Sequence, residues 1–228
     1  MPEPDTHKNK YDQQSQSEEV NEQRNLKNRF MDLYTASIPL FSVNLAWYVL
    51  SLPILTIFPA VGGVYHAIIE LHQEGHSDWK TVWEGFKKHG WVSVRWGLLV
   101  LAGFFILFVN IWFYLQVEQI WAIFALVALL VITVFWTAIN QFSLPMLLIQ
   151  EEKKIFLAIR NSYVIVMRRP LTAIKVMLIT FLILVVSILL PPLWIFISVA
   201  LIAHIQTGTV LNTIQAIRQQ DHGEDVET

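Results

Sequence analysis

Lysine and arginine disappear from three long stretches of this chain. Ile38 to Leu71, Trp96 to Glu152 and Val176 to Ile217 contain neither residue, and each is rich in Leu, Ile, Val, Phe and Trp. The basic residues crowd between them: Lys27 and Arg29; Lys80, Lys87, Lys88 and Arg95; Lys153, Lys154, Arg160, Arg168, Arg169 and Lys175; then Arg218. Long apolar runs separated by basic segments belong to a chain that crosses a bilayer several times, its basic loops on the cytoplasmic side. The expected fold is all-α, a polytopic bundle of transmembrane helices.

Composition agrees. Of 228 residues, 54% are hydrophobic and only 15% charged, too few to clothe a soluble domain of this size. The formal charge of -2 hides an asymmetry. The first 25 residues and the last ten are acidic, and Leu26 to Arg218 holds 13 basic against 8 acidic residues. That excess suits the anionic inner leaflet. It forms no single patch, so no nucleic-acid partner is expected. Cysteine is absent, which excludes disulfides, thiolate nucleophiles and Cys-ligated metals. Residues 1–25 read as a disordered polar tail, 26–218 as the membrane domain and 219–228 as an acidic tail. No apolar core follows a basic start, so no signal peptide is expected and the first span inserts itself.

About 20 apolar residues cross the hydrocarbon core as a helix. Trp96 to Leu115 does so, Gln116 to Gln119 turns, and Ile120 to Asn140 returns. Thr172 to Leu190 crosses again, Pro191 and Pro192 break the chain, and Leu193 to Leu211 returns. Trp112, Tyr114, Trp121 and Trp194 flank these turns as interfacial aromatics do. Ile38 to Leu71 is less regular. A span to Leu52, a turn through Pro53 to Pro59 and a second helix to Glu74 give six spans in three hairpins, with both termini inside. The alternative is five spans. Positive-inside bias favours six, because it gathers the basic segments on one side.

A basic amphipathic segment precedes each hairpin. The apolar residues are Leu26, Phe30 and Leu33 in the first; Trp79, Trp83, Phe86 and Trp91 in the second; Phe156, Ile159, Tyr163 and Val166 in the third. Spacings of three and four place each set on one helical face. Lys80, Lys87 and Lys88 interleave the second set; Arg160, Arg168 and Arg169 accompany the third. Such helices are expected at the inner headgroup level, touching anionic lipid.

Few residues suggest chemistry. Asn44, Asn110, Asn140 and Gln141 lie within expected spans, where an amide must face another helix or a cavity. Interhelical hydrogen bonding is the ordinary role, and a polar lining for a small neutral solute is the sharper one. Asn44 also stands where it can cap the broken backbone near Pro53. His66 with Glu70, and His72 with His76, are spaced i, i+4 near one end of the first apolar stretch. No His-Glu-x-x-His motif accompanies them, so no metal site is expected. His204 is expected to pack against a neighbouring helix. No P-loop, nucleophile elbow or intramembrane acidic pair is present, so neither a cofactor nor an enzymatic activity is expected. The prolines fall where turns are needed, except Pro145, which could kink a span.

Asn44-Leu45-x-Trp47, Leu52-Pro53-Ile54-x-Thr56, Pro59-Ala60 and Tyr65, followed by Trp83 and Phe86-Lys87, resemble the YesL-like family of bacterial integral membrane proteins, a domain of unknown function. Phe58 departs from the glycine common before that proline. The resemblance covers roughly Asn44 to Trp96. It implies a bacterial cytoplasmic-membrane protein linked to carbohydrate uptake, because family members often neighbour oligosaccharide ABC importers. It implies no catalytic residue. The expected function is a non-enzymatic accessory or scaffold component meeting an ABC permease or ATPase subunit. The alternative is a transporter or channel in its own right for a small neutral solute.

Overall fold

The computed structural model describes residues 38–224. The polar N-terminal segment and the helical pattern at Leu26, Phe30 and Leu33 lie outside the described residues, as do the last residues of the acidic tail. Helix α1 (Ile38–Ser51) leads through a short 3₁₀ turn, Ile54–Thr56, into α2 (Ile57–Glu74). There follow α3 (Trp79–Tyr114), α4 (Ile120–Ile149), α5 (Ile155–Arg168) and α6 (Pro170–Leu189). A helical turn at Pro191–Leu193 and a π-helical turn at Trp194–Ser198 then open α7 (Val199–Glu224). Among the described residues there is no strand.

Local chemistry sets the boundaries. Gly75 ends α2 in the left-handed conformation at φ 73°, where a Cβ would be strained. Asp78 starts α3 with a capping box: its carboxylate accepts from the backbone N–H groups of Lys80 and Thr81 at 2.9 and 3.1 Å. Those donors hold the Asp78 carboxyl below the ordinary carboxylate range, the Thr81 N–H contributing most. Pro170 occupies the first turn of α6, where its missing N–H costs nothing. The turn before α2 is shorter than expected. It closes at Thr56, whose hydroxyl donates to Leu50 and Pro53 carbonyls, and Pro59 falls in the first turn of α2. No intrahelical donor is required there. Pro145 is fully buried, and α4 runs through it without ending.

Among the described residues, five helical segments are long and apolar enough to cross a membrane: Ile54–Glu74, Trp79–Tyr114, Ile120–Ile149, Pro170–Leu189 and Pro191–Ala216. The fold is a helical membrane bundle. Helix α1 is shorter; its described residues reach about 21 Å against a hydrocarbon core of about 30 Å. The segment expected to lie flat before the second hairpin is not a separate element. It continues unbroken into the span, making α3 36 residues long. At 1.5 Å per residue that is about 54 Å, far more than a bilayer core requires. Lys80, Lys87, Lys88 and Arg95 sit in its first half, which therefore carries the excess length toward the basic side.

Small residues, rather than large ones, mark the packed faces. The most extensive helix contact joins α2 to α3. It buries Ala60, Gly62, Gly63 and Ala67 against Val82, Gly85, Gly90, Ser93 and Gly97. A Cβ built on Gly63 would lie 2.5 Å from the Val82 carbonyl oxygen, so only glycine permits this approach. The aromatics that their spacing sets on one face of this segment point away from the contact: Trp79, Trp83 and Trp91 are exposed, the last at 74%. Helix α5 behaves likewise. It buries Ala158, Ser162, Ile165 and Val166, while Phe156 is 79% exposed. In lipid a large apolar side chain gains little by turning inward, and close backbone approach decides the contact. Beyond Gly97 in α3, in the first half of α4 and along α6, the apolar residues are largely exposed, including Phe105, Trp112, Phe124 and Phe181. The largest fully buried apolar side chains, Ile68, Phe142, Leu144 and Leu147, belong to α2 and the second half of α4.

Candidate functional site

Asn44 ties α1 to the start of the last helix through three hydrogen bonds. It is fully buried on α1. Its amide nitrogen donates to the carbonyls of Trp194 and Ile195 at 3.0 and 2.6 Å, and its amide oxygen accepts from the Ala200 N–H at 2.9 Å. A π-helical turn interrupts the i to i-4 ladder and exposes backbone groups that need other partners. One asparagine supplies donors and acceptor together. Asn44 therefore caps broken backbone, but that of Trp194–Ser198 at the start of the last helix and not that near Pro53. Trp47 meets Trp194 edge-on at 6.0 Å and Phe41 stacks on Phe196 at 5.4 Å, flanking the clamp.

Helix α2 carries polar side chains on two faces. Toward α3, His66 pairs with Glu70 at 3.0 Å and meets His89 edge-on, with ring centroids 5.0 Å apart. Gly85 makes this possible; a Cβ there would lie 2.6 Å from His66 Cβ. Toward α7, His72 stacks on His204 at 4.4 Å, with its Nδ1 2.8 Å from the Ile68 carbonyl. Gly208 leaves room for that ring, since a Cβ would sit 3.1 Å from His72 Nε2. The Tyr65 hydroxyl donates to Gln206 Oε1, a second tie from α2 to α7. Four of these residues, Tyr65, His66, His89 and Gln206, are buried. The i, i+4 spacing of His66 and Glu70 is realised as a contact. No group of three or more His, Asp or Glu side chains suited to a metal occurs among the described residues.

Two of the other three amides are used within their own helix. Asn110 donates to Ile106 O of its own helix at 2.7 Å. Asn140 donates to Trp136 O, also within its helix, and lies beside Ser143, which accepts from Trp96 Nε1 at 2.7 Å. Gln141 reaches α6 and donates to Ala173 O at 3.1 Å. Among the described residues, none of the four lines the groove between α4, α5 and α6 or the one between α1 and the start of α3. The structure thus places Asn44 and Gln141 as interhelical ties and Asn110 and Asn140 as self-bonded helix residues.

The basic residues stand outward. Lys87 Nζ lies 5.2 Å from the Trp83 ring, which itself stacks on Phe86. Lys80, Lys88, Arg160 and Arg168 are exposed, and Arg169 forms the junction between α5 and α6. Lys153 turns back to cap α4, donating to Leu148 and Gln150 carbonyls at 2.6 Å each. Partial burial, and then the nearby Lys88 charge, pull its ammonium below the usual lysine range. Sequence reasoning missed Tyr65 as a hydrogen-bonding group, and His89 and Gln206 altogether. A signal for His89 was present: Gly85, His89, Ser93 and Gly97 recur every four residues along one helical face.

No curated protein and no solved structure matches the chain. A family model described as a protein of unknown function, DUF624, matches residues 40–111, the stretch from α1 through most of α3 that contains Asn44, Tyr65, His66 and His89.

Proposed function

We propose that this chain is a non-enzymatic accessory or scaffold component of a carbohydrate ABC-type uptake system. It sits in the bacterial cytoplasmic membrane with both termini in the cytosol. One observation carries the reading: the four amides that stand within the spans are spent on holding helices to each other or to themselves. Asn44 and Gln141 tie separate helices, and Asn110 and Asn140 bond within their own. A conduit for a neutral solute requires such groups to face a path. The outward basic and aromatic face of α3, with Trp79, Lys80, Trp83, Lys87, Lys88 and Trp91, offers a surface for a permease or its ATPase. The carbohydrate context rests on the family resemblance, an argument by analogy. The test is affinity recovery of the tagged chain from native membranes in mild detergent. Permease or ATPase subunits should travel with it, and Trp83→Ala with Lys87→Ala should release them. Repeated recovery of the chain alone would count against the proposal.

A further inference from the structure

The last turn of α4, the middle of α5 and the Ile214 level of α7 line a cavity of about 580 Å³. Small-molecule sites span about 300–1,000 Å³. The cavity lies at the basic end of the bundle, where α4 gives way to the loop that carries Lys153 and Lys154. Its lining is mixed. Met146 and Ile149 on α4, Ile165 on α5 and Ile214 on α7 supply aliphatic walls. Gln150, Glu151 and Asn161 supply polar groups.

Gln150 is the informative residue. It ends α4, and its backbone is committed. The N–H donates to Met146 O at 3.2 Å, and the carbonyl accepts from Lys153 Nζ at 2.6 Å. Its side chain is not committed. Both amide atoms are shut off from solvent, and among the described residues neither has a hydrogen-bond partner. An unbonded buried amide is costly, so a rotation that brings it to a partner in the cavity is favourable. Asn161, half-buried, brings a second primary amide to the same cavity. Each such amide presents a donor and an acceptor side by side in one plane. Its complement is a planar edge with an acceptor beside a donor, as adenine carries N7 beside its amino group. Aliphatic walls suit the faces of that ring. Glu151 is exposed at the rim; a carboxylate there accepts from sugar hydroxyls and repels a phosphate.

We propose that this cavity binds a neutral adenine nucleoside. Gln150 and Asn161 read the edge of the base, Met146, Ile165 and Ile214 hold its faces, and Glu151 accepts from the ribose. The inference goes beyond the accessory reading and does not depend on it.

Equilibrium dialysis of labelled adenosine against the full chain in neutral detergent reads the affinity. Saturable binding of adenosine is expected. Asn161→Leu removes one bidentate pair and should weaken binding roughly 10- to 100-fold. Adenosine dimethylated on its amino group keeps the ring but loses the donor, and should bind more weakly by a similar factor. Adenosine monophosphate should bind less tightly than adenosine, and Glu151→Gln should narrow that gap. Gln150→Leu should abolish binding while leaving the melting temperature of the free chain unchanged or higher, because it removes an unbonded amide. Absence of saturable binding at millimolar adenosine would overturn the proposal, as would equal binding of the dimethylated nucleoside or undiminished affinity in Asn161→Leu. A lower melting temperature for free Gln150→Leu would also overturn it, by showing that the amide is already bonded within the fold.

Discussion

Asn44→Leu removes the clamp at the π-helical turn while nearly conserving side-chain volume. The wild-type amide makes three hydrogen bonds, at 3.0, 2.6 and 2.9 Å, and is fully buried. Interhelical hydrogen bonds in membrane proteins average about 0.6 kcal/mol, so the three bonds together are worth about 2 kcal/mol. Losing the acceptor also strands the Ala200 N–H in an apolar setting, which adds about 1–3 kcal/mol unless the turn rewinds. The expected destabilisation is therefore about 2 kcal/mol if the turn rewinds and about 3–5 kcal/mol if it does not. Rewinding would shift Trp194 and Phe196 around the helix and break their contacts with Trp47 and Phe41. Either way, local order near Ser198 falls. The chain lacks cysteine, so a single Ser198→Cys reporter, at a site only 1% exposed, reads this directly. In detergent micelles its maleimide labelling should accelerate roughly 30-fold or more when Asn44→Leu is added, with a parallel loss in thermal stability. Asn44→Asp keeps an acceptor but faces two carbonyl oxygens with a carboxylate, so it should do at least as badly. Unchanged labelling and a stability within about 0.5 kcal/mol of wild type would refute the clamp.

Four further outcomes follow from other contacts. Gly63→Ala forces a methyl against the Val82 carbonyl and Phe86 nitrogen, both backbone; overpacking of about 1–3 kcal/mol should appear as a lower melting temperature, whereas Gly90→Ala, whose nearest neighbour is Pro59 Cβ at 3.4 Å, should be milder. Tyr65→Phe strands the buried Gln206 at a cost of about 1–2 kcal/mol, and adding Gln206→Leu should recover part of it in a double-mutant cycle. Asp78→Ala removes the capping box and should cost about 1 kcal/mol. Because the folded-state pKa of Asp78 is depressed, its contribution is present above the unfolded value near 3.9 and fades as pH falls through the folded value; a melting-temperature difference between wild type and Asp78→Ala that persists undiminished well below pH 3 would contradict this. A cysteine replacing Leu55, 90% exposed at the turn between α1 and α2, should be labelled from outside intact cells if the first two helices form an inserted hairpin; strictly internal labelling would reverse the orientation of that turn.

Much of the architecture was legible along the chain. The span positions and turns at Gln116 to Gln119 and at Pro191 emerge from the sequence because membrane insertion depends on hydrophobicity summed over about 20 consecutive residues. That quantity needs no tertiary partner. Helix content follows for the same reason, since every backbone polar group in lipid must be satisfied within its own segment. Which helix faces pack together was less legible. The spacing of Trp79, Trp83 and Trp91 sets them on one face, and that face is exposed. The glycine and serine stripe opposite them was the better guide, because lipid removes the hydrophobic reason for large residues to turn inward.

The partners of the polar residues were decided by the tertiary structure alone. Asn44 stood out within an apolar helix, but its acceptors lie 150 and 151 residues away and are backbone carbonyls that any residue could provide. Nothing in their side chains marks them. His72 meets His204, and His66 meets His89, because Gly208 and Gly85 let the helices close at those levels. The sequence by itself determined which segments are apolar enough to enter a bilayer and which end of each is basic, because both are sums over neighbours in the chain; it left the count at five or six. Which helix each buried polar group would grip depended on rotation and register between helices, and those are settled by packing.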